Sequence, residues 1–369
     1  MKEFNTIGKI RYLSMLMVRV IIKSRGIDIK RMMNMGLCLT SALIRRKRVP
    51  ILPSVIQIDP NNICNLKCTA CTTGRGEHPK PVGQMSFKDF CRVVDEVKGV
   101  VSLIILYNSG EPFLNKDIYK MIGYAAEHKI SVITSTNAIL LDTDEKAENL
   151  IRSGLDTMII TVSGVTQKTY TRYHVGGDID KVFSNIDRIV RKKKEMKSGT
   201  PKIILRYLLF DYNVSEMDEM KRLAERVGVD YYNFRKACRE LRVIKKDAAG
   251  DKYMQKEYRD RGHCYWPWLI PVVHWDGTII PCCHINLSPP EMGNILSNGG
   301  LKGVWSGVRY QRFREMILKD KNSIPSCANC ESNPIGFQDS FNEKRGLVME
   351  RRFPSLPHTS LSPKERGLG

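Results

Sequence analysis

Cys64, Cys68 and Cys71, spaced three and then two residues apart, follow directly on an apolar, strand-like run. Three thiolates hold three corners of a cubane iron–sulfur cluster and leave the fourth iron without a protein ligand. An open metal position is what a reactive site needs. Half of a zinc site is the other reading of this triplet; it wants a fourth ligand, and His78 is the one local candidate. A second set, Cys264, Cys282, Cys327 and Cys330, is separated by 17, 44 and 2 residues. Four thiolates close a site, which suits electron transfer; a structural zinc uses the same four donors. Cys283 adjoins Cys282 and can exchange with it. Cys38, Cys91 and Cys238 read as non-ligands, Cys91 as a core residue of an apolar helical pattern.

Regular elements must position these thiols. From residue 53 onward β-rich runs alternate with amphipathic segments. Strands are expected at Val55–Ile58, Val101–Tyr107, Ile130–Thr134, Met158–Val162, Lys202–Phe210 and Asp230–Phe234. Helices are expected at Phe87–Val97, Ile118–Glu127, Glu145–Arg152, Ile179–Lys197 and Ser215–Val227. Repeated strand–helix units imply parallel strands joined by crossovers. Six units are too few for an eight-fold barrel and enough for a partial, TIM-like (β/α)6 barrel, an α/β fold whose sites lie at the C-terminal strand ends. The first cysteine loop follows the first strand, as that rule requires. The domains read as a basic helical extension (1–50), the partial barrel (51–240), a small metal-held module with few long periodic segments (261–342), and a polar tail (343–369) expected to be disordered.

The chain has 369 residues and a formal net charge of +20. Residues 1–50 hold 12 Lys or Arg against Glu3 and Asp28. Apolar runs share this stretch, and neither is long enough to span a bilayer. Such a mixture suggests a helix on an anionic membrane surface, or a helical extension packed on the enzyme's own barrel. Nucleic acid ranks lowest as a partner, since no RNA-binding module is visible. Grouped cysteines without an export signal read as metal ligands in a reducing cytoplasm.

The cysteine triplet resembles the signature of the radical S-adenosylmethionine (SAM) enzymes, and four later segments strengthen the likeness. Asn108-Ser109-Gly110-Glu111-Pro112 resembles the family's Gly-Gly-Glu-Pro turn, with Ser109 in place of a glycine; the resemblance implies that Gly110 and Glu111 receive the SAM ammonium. Thr134–Asn137 resembles the segment facing the ribose, which implicates Asn137. Thr161-Val162-Ser163-Gly164, with Tyr170, His174, Gly176 and Gly177, resembles a further SAM-binding run. It implies that the Thr161 hydroxyl contacts SAM and that His174 stands where an arginine usually pairs with the SAM carboxylate, with Arg172 nearby to compensate. Asn213 and Glu216 also match, and read as helix capping. Ala70 departs from the bulky residue common before the third cysteine, leaving the adenine face to another side chain such as Phe234.

Cys264, the Gly277-x4-Cys282 turn and the Cys327/Cys330 pair resemble a shortened SPASM module, the twitch type with one auxiliary cluster. The resemblance implies a SAM-binding 4Fe-4S cluster on Cys64, Cys68 and Cys71, SAM itself, and one auxiliary 4Fe-4S cluster on the other four cysteines. It implies a radical oxidoreductase fed by a flavodoxin- or ferredoxin-type donor. The first expectation for the substrate is a small-molecule or lipid-linked alcohol of a sugar, cyclitol or glycan, dehydrogenated with help from a base among Arg206, Tyr207, Tyr232 and Arg235. The alternatives are a peptide maturase making thioether or carbon–carbon links, against which the helical, basic residues 1–50 count, and a zinc-bearing nucleic-acid-binding protein.

Overall fold

Apolar runs set the strands and side-chain caps set the helix starts. The computed structural model describes residues 28–77, 80–236, 264–283, 290–297, 299–328 and 330. Expectations for His78, Cys238 and the tail 343–369 lie outside the described residues. Helix α1 (Ile29–Leu43) precedes β1 (Val55–Ile58), α2 (Phe87–Val97), β2 (Leu103–Ile105), α3 (Ile118–Glu127), β3 (Ser131–Thr136) and α4 (Asp144–Arg152). There follow β4 (Thr157–Val162), α5 (Gln167–Tyr170), α6 (Ile179–Glu195), β5 (Lys202–Leu209), α7 (Met217–Val227) and β6 (Tyr231–Lys236). The C-terminal part holds α8 (Trp266–Leu269), β7 (Val272–Val273), β8 (Thr278–Ile280), β9 (Gly293–Asn294), α9 (Gly300–Trp305), α10 (Val308–Asp320) and α11 (Pro325–Ala328).

The chain divides into two compact units, one from residues 1–64, 76–134 and 258–336, the other from 65–75 and 135–257 together with 337–369. In the first unit β1 is central. It pairs in parallel with β2 (Ile56 opposite Ile104) and with β7 (Ile58 opposite Val273), and β2 pairs in parallel with β3. The antiparallel β7–β8 and β8–β9 pairs extend the sheet from β7. Ile56, Gln57 and Ile58 are all buried, the mark of a strand covered on both faces. Helix α2 starts at Ser86, whose hydroxyl accepts the Asp89 N–H, and buries Phe90, Val93, Val94 and Val97 at helical spacing. In the second unit β4, β5 and β6 form a parallel set, with Ile160 opposite Leu205 and Tyr207 opposite Phe234. Helix α6 starts on Asp178 and carries Lys192, Lys193 and Lys194 in its last turn, where cations complement the helix dipole. Helix α7 ends on Gly228 in the left-handed conformation (φ 71°).

All six expected strands form, β1 with the expected bounds and the others with shifted ends: β2 keeps three residues of an expected seven. The 13-residue α10 was not expected; it buries Tyr310, Phe313, Arg314 and Ile317, and the arginine in that apolar row hides the period. Helix α1 packs against its own unit. Arg31 donates to Lys98 O and His128 O at 2.7 Å each, and to Lys129 O, so one guanidinium serves the carbonyl ends of α2 and α3. Asn34 donates to Leu52 O (2.9 Å) and Cys38 to the same carbonyl (3.2 Å). Among the described residues no helix is long and apolar enough to cross a membrane.

Candidate active site

In the first unit, β1 runs through Asp59 into the loop that reaches Cys64. Asn61 organises it: its amide donates to Glu111 O (2.9 Å) and its carbonyl accepts the Ile63 N–H (2.9 Å). The Glu111 N–H in turn donates to Ile63 O at 2.7 Å. Gly110 lies so close against this loop that a Cβ there would run into Asn61 and approach Ile63 O to 2.6 Å, so only glycine fits. The Glu111 carboxylate accepts the Phe113 N–H (3.2 Å) and holds the turn after β2. Asp59, fully buried, accepts the Ser109 N–H (3.2 Å) through Oδ1, and Oδ2 lies 3.3 Å from His274 Nδ1. His274 Nε2 is buried and without a hydrogen-bond partner among the described residues.

In the second unit, the loop bearing Cys68 and Cys71 is pinned by Lys67 N–H to Val175 O (3.0 Å) and Thr69 N–H to Tyr173 O (3.1 Å). A Cβ on Gly74 would meet the Cys68 backbone N at 2.6 Å, a second close approach that demands glycine. Asn137, after β3, donates to Asn65 Oδ1 (2.8 Å) and so braces the residue next to Cys64, a contact its expected ribose role did not include. Thr161, near the end of β4, is half-buried.

His174 is buried. Its ring stacks on Tyr170 (4.6 Å, 13°), Nδ1 sits 2.7 Å from Ser163 Oγ, and burial pushes its pKa down to about 3. The nearby cation is Arg172, exposed, with its guanidinium 3.9 Å from the Tyr212 ring centre. Asn213 and Glu216 do not cap α7 with their side chains. They brace the turn after β4 instead, Asn213 donating to Ser163 O (2.8 Å) and Glu216 accepting the Val165 N–H (3.0 Å). Glu216 also accepts the Tyr207 hydroxyl (2.8 Å); burial first and Glu216 second push that phenol far up.

The ten described cysteines are thiols, without disulfides. Cys91 is half-buried rather than core. Among the described residues no three His, Cys, Asp or Glu side chains already stand in metal-gripping geometry. The four C-terminal thiols nonetheless share one electrostatic neighbourhood. Cys264 is pushed well up, by burial first and then by Cys282, Cys330 and Cys327; Cys327 is pushed up to about 11 by burial and by Cys282 and Cys330. Thiols that penalise each other's ionisation are a donor set a cationic cluster would relieve, so these residues fit the group. The three thiols of the 64–71 loop are the donor set of a SAM-binding cluster with one open iron. Sequence reasoning missed Asp59, Asn61 and His274; the one available signal was Asp59 two positions after Gln57, a second polar residue on one face of a buried strand.

The Radical SAM superfamily model matches residues 58–224, and the SPASM iron–sulfur cluster-binding domain model matches residues 264–331. Mycofactocin maturase MftC of Mycolicibacterium smegmatis is 23% identical over 321 residues, covering 79% of this chain and 76% of that protein. MftC of Mycobacterium tuberculosis is 24% identical over 331 residues, 82% of this chain and 80% of that one. The crystal structure of Streptococcus suis SuiB bound to S-adenosylmethionine superposes with a TM-score of 0.57 at 17% identity, over 77% of this chain and 72% of that chain; SuiB is also known bound to precursor peptide SuiA. The chain belongs to the radical SAM superfamily and carries a SPASM-type module. It is a radical SAM enzyme with the family's α/β partial-barrel fold, a SAM-binding 4Fe-4S cluster and an auxiliary cluster. This assignment removes the zinc-bearing nucleic-acid-binding alternative.

Proposed function

We propose that the chain is a maturase that acts on a precursor peptide. The observation that carries this reading is the similarity to mycofactocin maturases over 79% and 82% of this chain. It outweighs the earlier objection from residues 1–50, whose described part is a helix packed on its own unit. When bound, the first cluster and SAM supply a 5′-deoxyadenosyl radical, which takes hydrogen from a substrate carbon. Cys64, Cys68 and Cys71 hold that cluster, and the 108–112 turn, Asn137 and Thr161 seat SAM. Cys264, Cys282, Cys327 and Cys330 hold the auxiliary cluster, a closed site suited to taking the second electron. In domain terms, residues 51–240 form the catalytic barrel and 261–342 the auxiliary module. Oxygen-sensitive clusters and a reducing flavodoxin- or ferredoxin-type donor favour a cytoplasmic enzyme.

The test is anaerobic incubation of loaded enzyme with SAM, reductant and short peptides encoded beside its gene. The expected result is a peptide lighter by two hydrogens, formed together with 5′-deoxyadenosine. No change in any peptide, with oxidation of an added alcohol instead, would contradict it. Dehydrogenation of a small-molecule or lipid-linked alcohol is the second reading, favoured by the lack of any cysteine after Cys330, which leaves ligands for one auxiliary cluster.

A further inference from the structure

Helix α1 is apolar on two faces. Its inward face buries Met35, Cys38, Leu39 and Ala42 together with Arg31 and Asn34, which are both spent on backbone carbonyls. Its outward face is apolar: Ile29 is 73% exposed, Met33 64%, Leu37 51% and Ile44 56%, with Met32 beside them. The hydroxyl of Thr40, the polar residue in that face, donates back to Gly36 O at 2.9 Å and so presents its methyl group. Protein interfaces carry about one hydrogen bond per 100–200 Å²; this face offers a partner none. Basic residues bracket it, Lys30 in the first turn and Arg45-Arg46-Lys47-Arg48 just past the end; Lys30, Arg46, Lys47 and Arg48 are exposed, and Lys47 is paired with Glu315 at 2.8 Å. Asp28 at the N-terminus is occupied by the Lys30 and Arg31 N–H groups.

We propose that the outer face of α1 is a docking surface for an anionic lipid bilayer, on which the helix lies in the interfacial plane. A helix of 15 residues is about 22 Å long, so cationic side chains at both ends reach lipid headgroups while the apolar row enters the acyl boundary. The inner-face bonds of Arg31 and Asn34 fix the helix to the first unit, so docking brings the enzyme to the membrane without unfolding it. This inference goes beyond the peptide reading and does not depend on it.

The test is co-sedimentation of the full-length, cluster-loaded enzyme with phosphatidylcholine vesicles, with and without phosphatidylglycerol. Binding is expected only where the anionic lipid is present. M33E/L37E is expected to weaken it at least about tenfold, and R46E/R48E to weaken it with a flatter salt dependence. Both variants should form 5′-deoxyadenosine as the parent does, which shows that they fold. The milder I29Q/I44Q must move binding in the same direction. No binding to anionic vesicles, binding unchanged by the apolar-face variants, or a lipid-independent dimer that M33E/L37E dissolves would each overturn the proposal.

Discussion

Asp59 and His274, 215 positions apart in sequence, meet with Oδ2 and Nδ1 3.3 Å apart, and both side chains are buried. The other carboxylate oxygen of Asp59 accepts the Ser109 N–H. One side chain thus ties the end of β7 to the turn after β2 that we propose seats the SAM ammonium. We predict that Asp59→Asn weakens SAM binding about tenfold, the loss of one charge-assisted bond that orders the turn. Equilibrium dialysis with labelled SAM on the loaded enzyme reads this directly, and an unchanged affinity would show that the turn holds itself.

The buried, neutral His174 makes stability depend on pH. Its pKa is about 3 in the folded chain and near 6.5 in an unfolded one. Above the unfolded value the two states bind the same number of protons. As pH falls from about 6.5 toward the folded value, only the unfolded chain gains the proton, and stability drops by up to about 1.4 kcal/mol per pH unit. Urea denaturation at pH 7.5 and 5.5 should show a smaller acid loss in His174→Gln than in the parent. Equal losses would mean that His174 is protonated in the folded state.

Arg314 is fully buried against the packed ring pair of Trp305 and Tyr310, 4.5 Å from each ring centre, and donates to Pro267 O (2.8 Å) and Trp305 O (3.0 Å). It joins α8 to α10 around the auxiliary thiols. Arg314→Met strands two buried carbonyls and should cost about 3 kcal/mol. The predicted outcome is a lower thermal midpoint and faster loss of auxiliary-cluster absorbance on warming.

Lys321, also buried, donates to Cys330 O at 2.7 Å, and its charge favours the ionised form of Cys327. Reduction adds negative charge to the cluster, which a nearby ammonium stabilises. Lys321→Met should therefore shift the auxiliary midpoint potential to more negative values in a spectroscopic titration, while SAM cleavage continues. A shift in the positive direction would refute this role.

Much of this was legible before any coordinates. Strands β1 to β5 announce themselves as runs rich in β-branched residues, β6 by Tyr231, Tyr232 and Phe234, and α2 as a capped, apolar-striped segment, because local chemistry decides each. Strands β7 to β9, of two or three residues, carry too little period to detect. Helix α10 hides behind Arg314, whose burial depends on two aromatic rings and distant carbonyls. The cysteine sets were readable because ligand spacing is local; the Asp59–His274 contact was not, because nothing near either residue names the other. The burial of His174 against Tyr170 was not legible either, since that contact is tertiary.

The central claim is an open iron at the first cysteine loop. Anaerobically loaded protein, given SAM and dithionite, should release 5′-deoxyadenosine and methionine. Cys68→Ala should release neither, whereas Cys330→Ala should retain cleavage and lose product. A parent enzyme with its first cluster demonstrably present that forms no 5′-deoxyadenosine would contradict the account.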